Sequence, residues 1–306
     1  MTDVGESVHR VGIIGLGIMG SAMARQLLLA GFEVNGFDTA TDKLDEFALM
    51  GGNEKQSGAE VAAASELVIF SLPSIPSLVA ATEDVAAGAH DGLIVAEMGT
   101  FPIEAKQNAF DRLAQVGVEL MDVPVSGTGL QAADGTLVVM ASGSQAAFDR
   151  TKCVFDAVGR ATHHLGAFPN GSMMKFIANL LVTIHNLASA EAHALGIAAG
   201  MDPATVQEVI GGGVGSSRIF DIRGPMMAAD VYEPPSARLS TILKDAKIIQ
   251  AFARSNGAPT PLLDTALPIY EASDAAGLGD LDAAALLRYL ENESGISRGR
   301  IAAQSP

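Results

Sequence analysis

Residues 11–20, VGIIGLGIMG, constrain this chain more than any other stretch. A strand-like apolar run leads directly into Gly15-x-Gly17-x-x-Gly20, and a helix-compatible segment follows. Between a parallel strand and a helix, the first glycine of such a turn permits the sharp reversal. The second lets the backbone approach a pyrophosphate, and the third lets the helix pack closely on the strand. The N–H groups and positive end of that helix would then face the phosphates. In a chain with 33 glycines the spacing alone also fits an ordinary turn, so context decides. A second strand-like run, residues 33–37, ends in Asp38. A carboxylate about 20 residues beyond the glycines accepts hydrogen bonds from a ribose 2′-hydroxyl and repels a 2′-phosphate. Residues 39–42 contain no arginine, and Lys43 is the nearest cation. The expected cofactor is therefore NAD rather than NADP, with Gly15, Leu16, Gly17, Ile18, Met19 and Gly20 around the phosphates and Asp38 at the ribose. The alternative role for Asp38 is a cap on the following helix.

The first half of the chain alternates apolar runs at 11–14, 33–37, 67–71, 93–97, 119–123 and 137–142 with helix-like segments, including 21–30, 43–50 and 103–116. Such alternation predicts an α/β fold with a mostly parallel, doubly wound sheet and helices on both faces. From about Pro169 the two-residue alternation stops, and residues 171–199 form one long helical pattern rich in Ala, Leu, Met and Ile. A helix apolar nearly all round is expected to be buried, here between domains or between subunits. Further helices are expected near 203–210, 236–255, 261–276 and 282–293. The boundary falls near Gly166, giving an N-terminal domain 1–166 and an all-α domain 167–306.

A length of 306 residues and an apolar fraction of 48% suit two cores. The net charge of −16 disfavours nucleic acid and anionic membranes as partners. No apolar run reaches about 18 residues, and the polar start MTDVGESVHR is unlike a signal peptide, so a cytoplasmic location is expected. The single cysteine, Cys153, excludes an internal disulfide, and the six histidines make no metal-binding spacing, so no metal is expected.

GLGIMG at 15–20, DVPVSG at 122–127, GTLVVMASG at 135–143, GSMMKFIANLL at 171–181 and KDAKIIQAFA at 244–253 occur in an order and spacing that resemble the β-hydroxyacid dehydrogenases, in particular the 3-hydroxyisobutyrate dehydrogenase group. The resemblance spans nearly the whole chain. It implies a Rossmann domain joined through a long helix to an all-α domain, assembly into homodimers or homotetramers, and hydride exchange between a small hydroxyacid and a nicotinamide cofactor.

Lys175 and Asn179 stand four apart, on one face of the expected long helix. Alcohol oxidation needs a base for the hydroxyl proton, and a lysine serves where burial and a helix N-terminus favour its neutral amine. Met173, Met174, Phe176 and Ile177 would supply that burial, although a lysine on an apolar helix can equally snorkel to solvent. The resemblance assigns Lys175 the acid/base role and Asn179 the orienting of substrate. Ser126, Gly127 and Thr128 follow the fifth strand at its carboxyl end, where backbone N–H groups and hydroxyls can hold a carboxylate; a plain turn is the alternative. The resemblance also brings Leu72, Pro73 and Thr100 to the nicotinamide half and makes Lys244 a lysine that closes over the cofactor. Residues 211–223, GGGVGSSRIFDIR, lack the lysine and hydroxyl pair of a P-loop and are expected to form a flexible interdomain loop and helix start, with Arg218 a second anchor for a substrate acid. The S-S-x-x-F-x-x-R-G-P pattern resembles the branch acting on threonate-like sugar acids. Departures from the family pattern are Ala178 beside Asn179, Pro169 before the helix and Thr128 in place of a common glycine. The alternatives to a hydroxyacid dehydrogenase are an imine-reducing relative, which usually lacks the lysine, and a noncatalytic dinucleotide-binding protein.

Overall fold

The computed structural model describes residues 7–296 and Arg298, and the chain forms two compact units, residues 1–175 and 176–306. The first unit runs β1 (Arg10–Ile14), α1 (Ile18–Leu29), β2 (Glu33–Phe37), α2 (Thr41–Leu49), β3 (Asn53–Glu54), α3 (Gly58–Ala64), β4 (Leu67–Phe70), α4 (Ile75–Ala87), β5 (Ile94–Glu97), α5 (Ile103–Ala114) and β6 (Glu119–Asp122). It continues with β7 (Val125–Ser126), α6 (Gly129–Ala133), β8 (Leu137–Ala141), α7 (Gln145–Val158), β9 (Gly159–His164) and the start of α8 (Asn170–Ala198). Six strands pair in parallel in the order β3-β2-β1-β4-β5-β6, so the strand order reverses beside β1. That reversal opens a crevice at the strands' carboxyl ends.

Side chains alternate across this sheet and fill a core on each face. Val11, Ile13, Leu67, Ile69, Ile94 and Ala96 enter one, while Ile14, Val68, Phe70 and Val95 enter the other. Strands buried on both faces read as continuous apolar runs, which is why the sequence shows them clearly. The register aligns Phe37, Ile14, Phe70, Glu97 and Asp122 in one row across five strands. The loops that follow, beginning at Asp38, Gly15, Ser71, Met98 and Val123, therefore leave the sheet side by side.

The run at 137–142 does not extend this sheet. It forms β8 of a separate three-stranded sheet, antiparallel to β7 and parallel to β9. The turn at Gly127 and the short α6 reverse the chain too quickly for a parallel crossover.

The second unit carries the rest of α8, then α9 (Pro203–Gly211), α10 (Arg218–Ala229), α11 (Leu239–Ser255), α12 (Pro261–Ser273) and α13 (Leu286–Ser294). No strand occurs among its described residues. The glycine-rich stretch lies inside this unit, between α9 and α10, rather than between the two units, and from Arg218 onward it is helix. Ser217 caps α10 by accepting the Phe220 N–H at 3.1 Å. Arg223 is buried in an ion pair with Asp282, Nε to Oδ1 3.3 Å. α8 is continuous as expected, but it is not buried all round: Met174, Ile177, Leu181 and Leu195 are exposed by 41, 55, 50 and 73%.

Candidate active site

The dinucleotide loop is built by sterics. Gly15 adopts φ +95°, a conformation that L side chains rarely hold, and a Cβ there would overlap the Ser71 carbonyl oxygen of the neighbouring strand end. A Cβ on Gly20 would overlap the Gly15 carbonyl, so both glycines hold α1 against β1 and β4. Gly17 differs, because nothing lies within 4 Å of the place a Cβ would take. That open space stands at the N-terminus of a 12-residue helix that has neither a side-chain cap nor an acidic residue in its first turn. Uncapped N–H groups beside a cleared approach suit a pyrophosphate.

Asp38 sits at the end of β2 and faces this loop. Its Oδ2 accepts the Leu16 N–H at 2.7 Å and its Oδ1 the Ala40 N–H at 2.9 Å. The carboxylate thus shapes the glycine turn and the entry to α2 together. A carboxylate offers about four lone-pair positions, so capacity for a ribose diol remains. The residues present fit a dinucleotide.

The substrate-side loop follows β6. Gly127 has φ +147°, and a Cβ there would come 2.6 Å from Leu137 Cδ2, so only glycine fits. Thr128 is engaged locally: its N–H and its hydroxyl both donate to Gln131 Oε1 at 2.6 Å, forming the cap of α6. Ser126 pairs with Val138 at the end of β7. Leu72, Pro73 and Thr100 lie in the loops after β4 and β5, within the aligned row of strand ends.

Lys175 lies in the second turn of α8 and is half-buried. Of the neighbours expected to desolvate it, Phe176 is buried and packs edge-on against Phe252 at 5.1 Å, whereas Met174 and Ile177 are exposed. Asn179 is buried one turn further along, and its Nδ2 donates to Asp245 Oδ2 at 2.9 Å. Lys244 Nζ approaches the other oxygen of the same carboxylate at 3.0 Å, an ion-pair contact outside hydrogen-bond alignment. Asp245 therefore joins Asn179 to Lys244 within the second unit. Asp245 is a site residue that the sequence did not disclose, and it is 6% exposed. Its signal was a charged residue on the inward face of an amphipathic helix. Arg218 is exposed at the first position of α10.

A second feature escaped the sequence reading. Lys106, on α5, is fully buried between Glu97 at the end of β5 and Asp122 at the end of β6, with Nζ–Oε2 2.5 Å and Nζ–Oδ1 2.7 Å. Burial pushes the Glu97 carboxyl above its ordinary value. Burial alone would lower the Lys106 ammonium, but the two carboxylates more than reverse this and hold it above the usual lysine range. Among the described residues no cluster of His, Cys, Asp and Glu suits a metal ion, and no helix is long and apolar enough to cross a membrane.

A doubly wound sheet with an uncapped, glycine-lined helix start at its switch point defines a protein of the NAD(P)-binding Rossmann class. Residues 10–166 match the profile described as the NAD binding domain of 6-phosphogluconate dehydrogenase. Residues 169–290 match the one described as NAD-binding of NADP-dependent 3-hydroxyisobutyrate dehydrogenase. An L-threonate dehydrogenase of Cupriavidus necator is 33% identical, over 92% of this chain and 95% of its own length. A 2-(hydroxymethyl)glutarate dehydrogenase of Eubacterium barkeri is 28% identical, over 95% and 98%. The crystal structure of a 3-hydroxyisobutyrate dehydrogenase from Salmonella typhimurium superposes with a TM-score of 0.85 at 31% identity, covering 92% of this chain and 99% of that one. The chain belongs to the β-hydroxyacid dehydrogenase family.

Proposed function

We propose that this enzyme uses NAD, in preference to NADP, to oxidise a small hydroxyacid, or runs the reverse reduction, with Lys175 as the acid/base. The observation that carries the reading lies in the first unit: Asp122 ends β6 ahead of the Ser126–Gly127 loop, and the same carboxylate accepts the Ser172 N–H at 2.6 Å in the first turn of α8. The carboxylate-holding loop and the turn before Lys175 are thus fixed to one residue. Bound NAD supplies the hydride acceptor. Ser126 and Gly127 hold the substrate carboxylate by hydroxyl and backbone donors, Asn179 orients the reacting hydroxyl, and Lys175 takes its proton. Thr128, engaged with Gln131, supports this loop through the cap of α6. Lys244, held by Asp245, supplies a cation on the cofactor side.

The substrate class we favour is a threonate-like sugar acid. Its support is the likeness to L-threonate dehydrogenase and the S-S-x-x-F-x-x-R-G-P pattern. Within that pattern Ser217, Phe220 and Arg223 serve α10 itself, as cap, core and buried ion pair, which leaves the exposed Arg218 as its candidate for a substrate contact. The exposed apolar stripe on α8 supports a homo-oligomer.

The test is NAD and NADP reduction across a panel of three- and four-carbon hydroxyacids, with Lys175→Ala in parallel. The expected result is turnover with NAD that falls roughly 10²- to 10⁴-fold in the variant while NADH still binds. Turnover indifferent to Lys175 would remove it from the mechanism.

A further inference from the structure

The buried charges Glu97, Lys106 and Asp122 take no part in the reaction as derived, yet they join two loops and a helix start that do. Lys106 Nζ holds Glu97 at 2.5 Å and Asp122 at 2.7 Å, and all three side chains are 0% exposed. From Glu97 the contact continues to the loop after β5, because its Oε1 accepts the Gly99 N–H at 2.7 Å, beside Thr100. From Asp122 it continues into α8. Oδ2 accepts the Ser172 N–H at 2.6 Å and Oδ1 accepts the Ser172 hydroxyl at 2.8 Å. Ser142 adds a parallel link: its hydroxyl donates to the Asp122 carbonyl at 3.1 Å and accepts the Gly171 N–H at 2.9 Å. The start of α8 is also in close contact with the strand ends, since a Cβ on Gly171 would come 2.5 Å from the Met140 carbonyl and 2.6 Å from that of Asp122.

These contacts determine where α8 begins. The first N–H groups of a helix lack partners within it, and here two of them are taken by groups fixed to β6 and β8. Ser172 precedes Lys175 by three residues, slightly less than one turn, so any shift of the first turn carries directly into the position of Lys175. Two carboxylates and one ammonium without solvent form a costly arrangement for stability alone, and well-packed apolar side chains of similar volume often serve as well or better. Such a network is explained more simply by what it holds in place.

We infer that Lys106 is a positioning residue for the reaction: through Asp122 and Ser172 it fixes the first turn of α8, and with it Lys175, against the loops that follow β5 and β6. This inference rests on the acid/base assignment of Lys175. The dinucleotide loop at residues 15–20 and Asp38 lie across the sheet on β1 and β2, outside the network, so the pyrophosphate and adenosine-ribose share of cofactor affinity is insulated from it.

The decisive variants are Lys106→Met, which keeps the side-chain volume, and Ser172→Ala, which removes a single hydroxyl, with Lys175→Ala as reference. NADH binding is titrated by fluorescence, kcat and KM are measured per NADH-binding site on the hydroxyacid the parent turns over best, and amide exchange is followed at residues 171–175. The expected result for Lys106→Met is a kcat lower by about 10- to 100-fold, because a 1 Å misplacement of a reacting group costs on that order. Its NADH Kd stays within about threefold of the parent, and exchange at residues 171–175 accelerates. Ser172→Ala shows the same pattern to a smaller degree, and it decides the matter if Lys106→Met does not fold. Parental kcat per NADH-binding site in the folded variants would overturn the inference, as would unchanged exchange at residues 171–175. If Lys175→Ala itself turns over normally, the acid/base assignment fails instead, and the exchange data still decide whether Lys106 anchors α8.

Discussion

Asp38 shows how much one side chain can settle. Its carboxylate accepts the Leu16 and Ala40 N–H groups, so it organises the glycine turn even before a cofactor binds. The sequence offered two roles for it, ribose acceptor or helix cap; α2 has Ala40 at its N-cap and no side-chain cap, so Asp38 holds the backbone ahead of that helix, with two lone-pair positions engaged and two left for a ribose. Charge-assisted hydrogen bonds of this kind contribute roughly 1.5–3 kcal/mol. Asp38→Ala removes the turn's support for both cofactors but removes the ribose contact only for NAD. Titration of the variant should therefore show NAD affinity falling on the order of tenfold more than NADP affinity. Equal weakening would mean that Asp38 serves the loop alone.

At the scale of elements, α8 and α12 are joined by a buried polar knot whose pH response can be signed. Tyr270 accepts from Asn186 Nδ2 at 2.9 Å and donates to the Thr183 carbonyl at 3.1 Å. Burial pushes its phenol from an ordinary 10.0 up to about 12. A raised pKa means that the folded state holds the proton more tightly. The contribution is fully present below about pH 10 and is lost as pH rises towards about 12, on the order of 3 kcal/mol for a two-unit shift. Tyr270→Phe should cost about 1 kcal/mol at neutral pH and flatten the alkaline loss. Thermal unfolding of both proteins between pH 8 and pH 11 checks this, and parallel curves would show that Tyr270 does not control the alkaline response. Elements of this kind differed in how far the sequence disclosed them. β1, β2, β4, β5 and β6 were legible because burial on both faces demands unbroken apolar runs, and α8 because nothing interrupts its helical period. β8 was legible as a strand but not as part of a second sheet, since partner choice depends on the turn at Gly127. α10 lay hidden behind glycines that belong only to the turn before it. Of the candidate site, the glycine loop and the Lys175–Asn179 spacing could be read directly, because both are local. The Asp245 link to Asn179 spans 66 residues and the Lys106 link to Asp122 spans 16, and neither leaves a periodicity to read.

Across the whole molecule, a net charge of −16 coexists with a helix that exposes several large apolar side chains. Met174, Ile177, Leu181 and Leu195 recur at intervals of three, four and fourteen residues, so they fall on one face of α8, with the exposed Ala188 between them. Scattered exposed leucines need no explanation, but exposed apolar side chains gathered on one face of a single helix, bordered by the exposed Glu191, mark an interaction surface. A second copy of the chain is the partner that fits, because the α8 face of one copy can be matched by the same face of another across a two-fold axis. If the parent assembles through this face, Ile177→Glu combined with Leu181→Glu should convert it to monomer in sedimentation velocity, because each carboxylate would be buried without a partner. The same variant should retain its secondary structure and NADH binding, because Lys175 and Asn179 lie on the other face of α8. A parent that sediments as a monomer would refute the interface, and a double variant that still assembles would place it elsewhere.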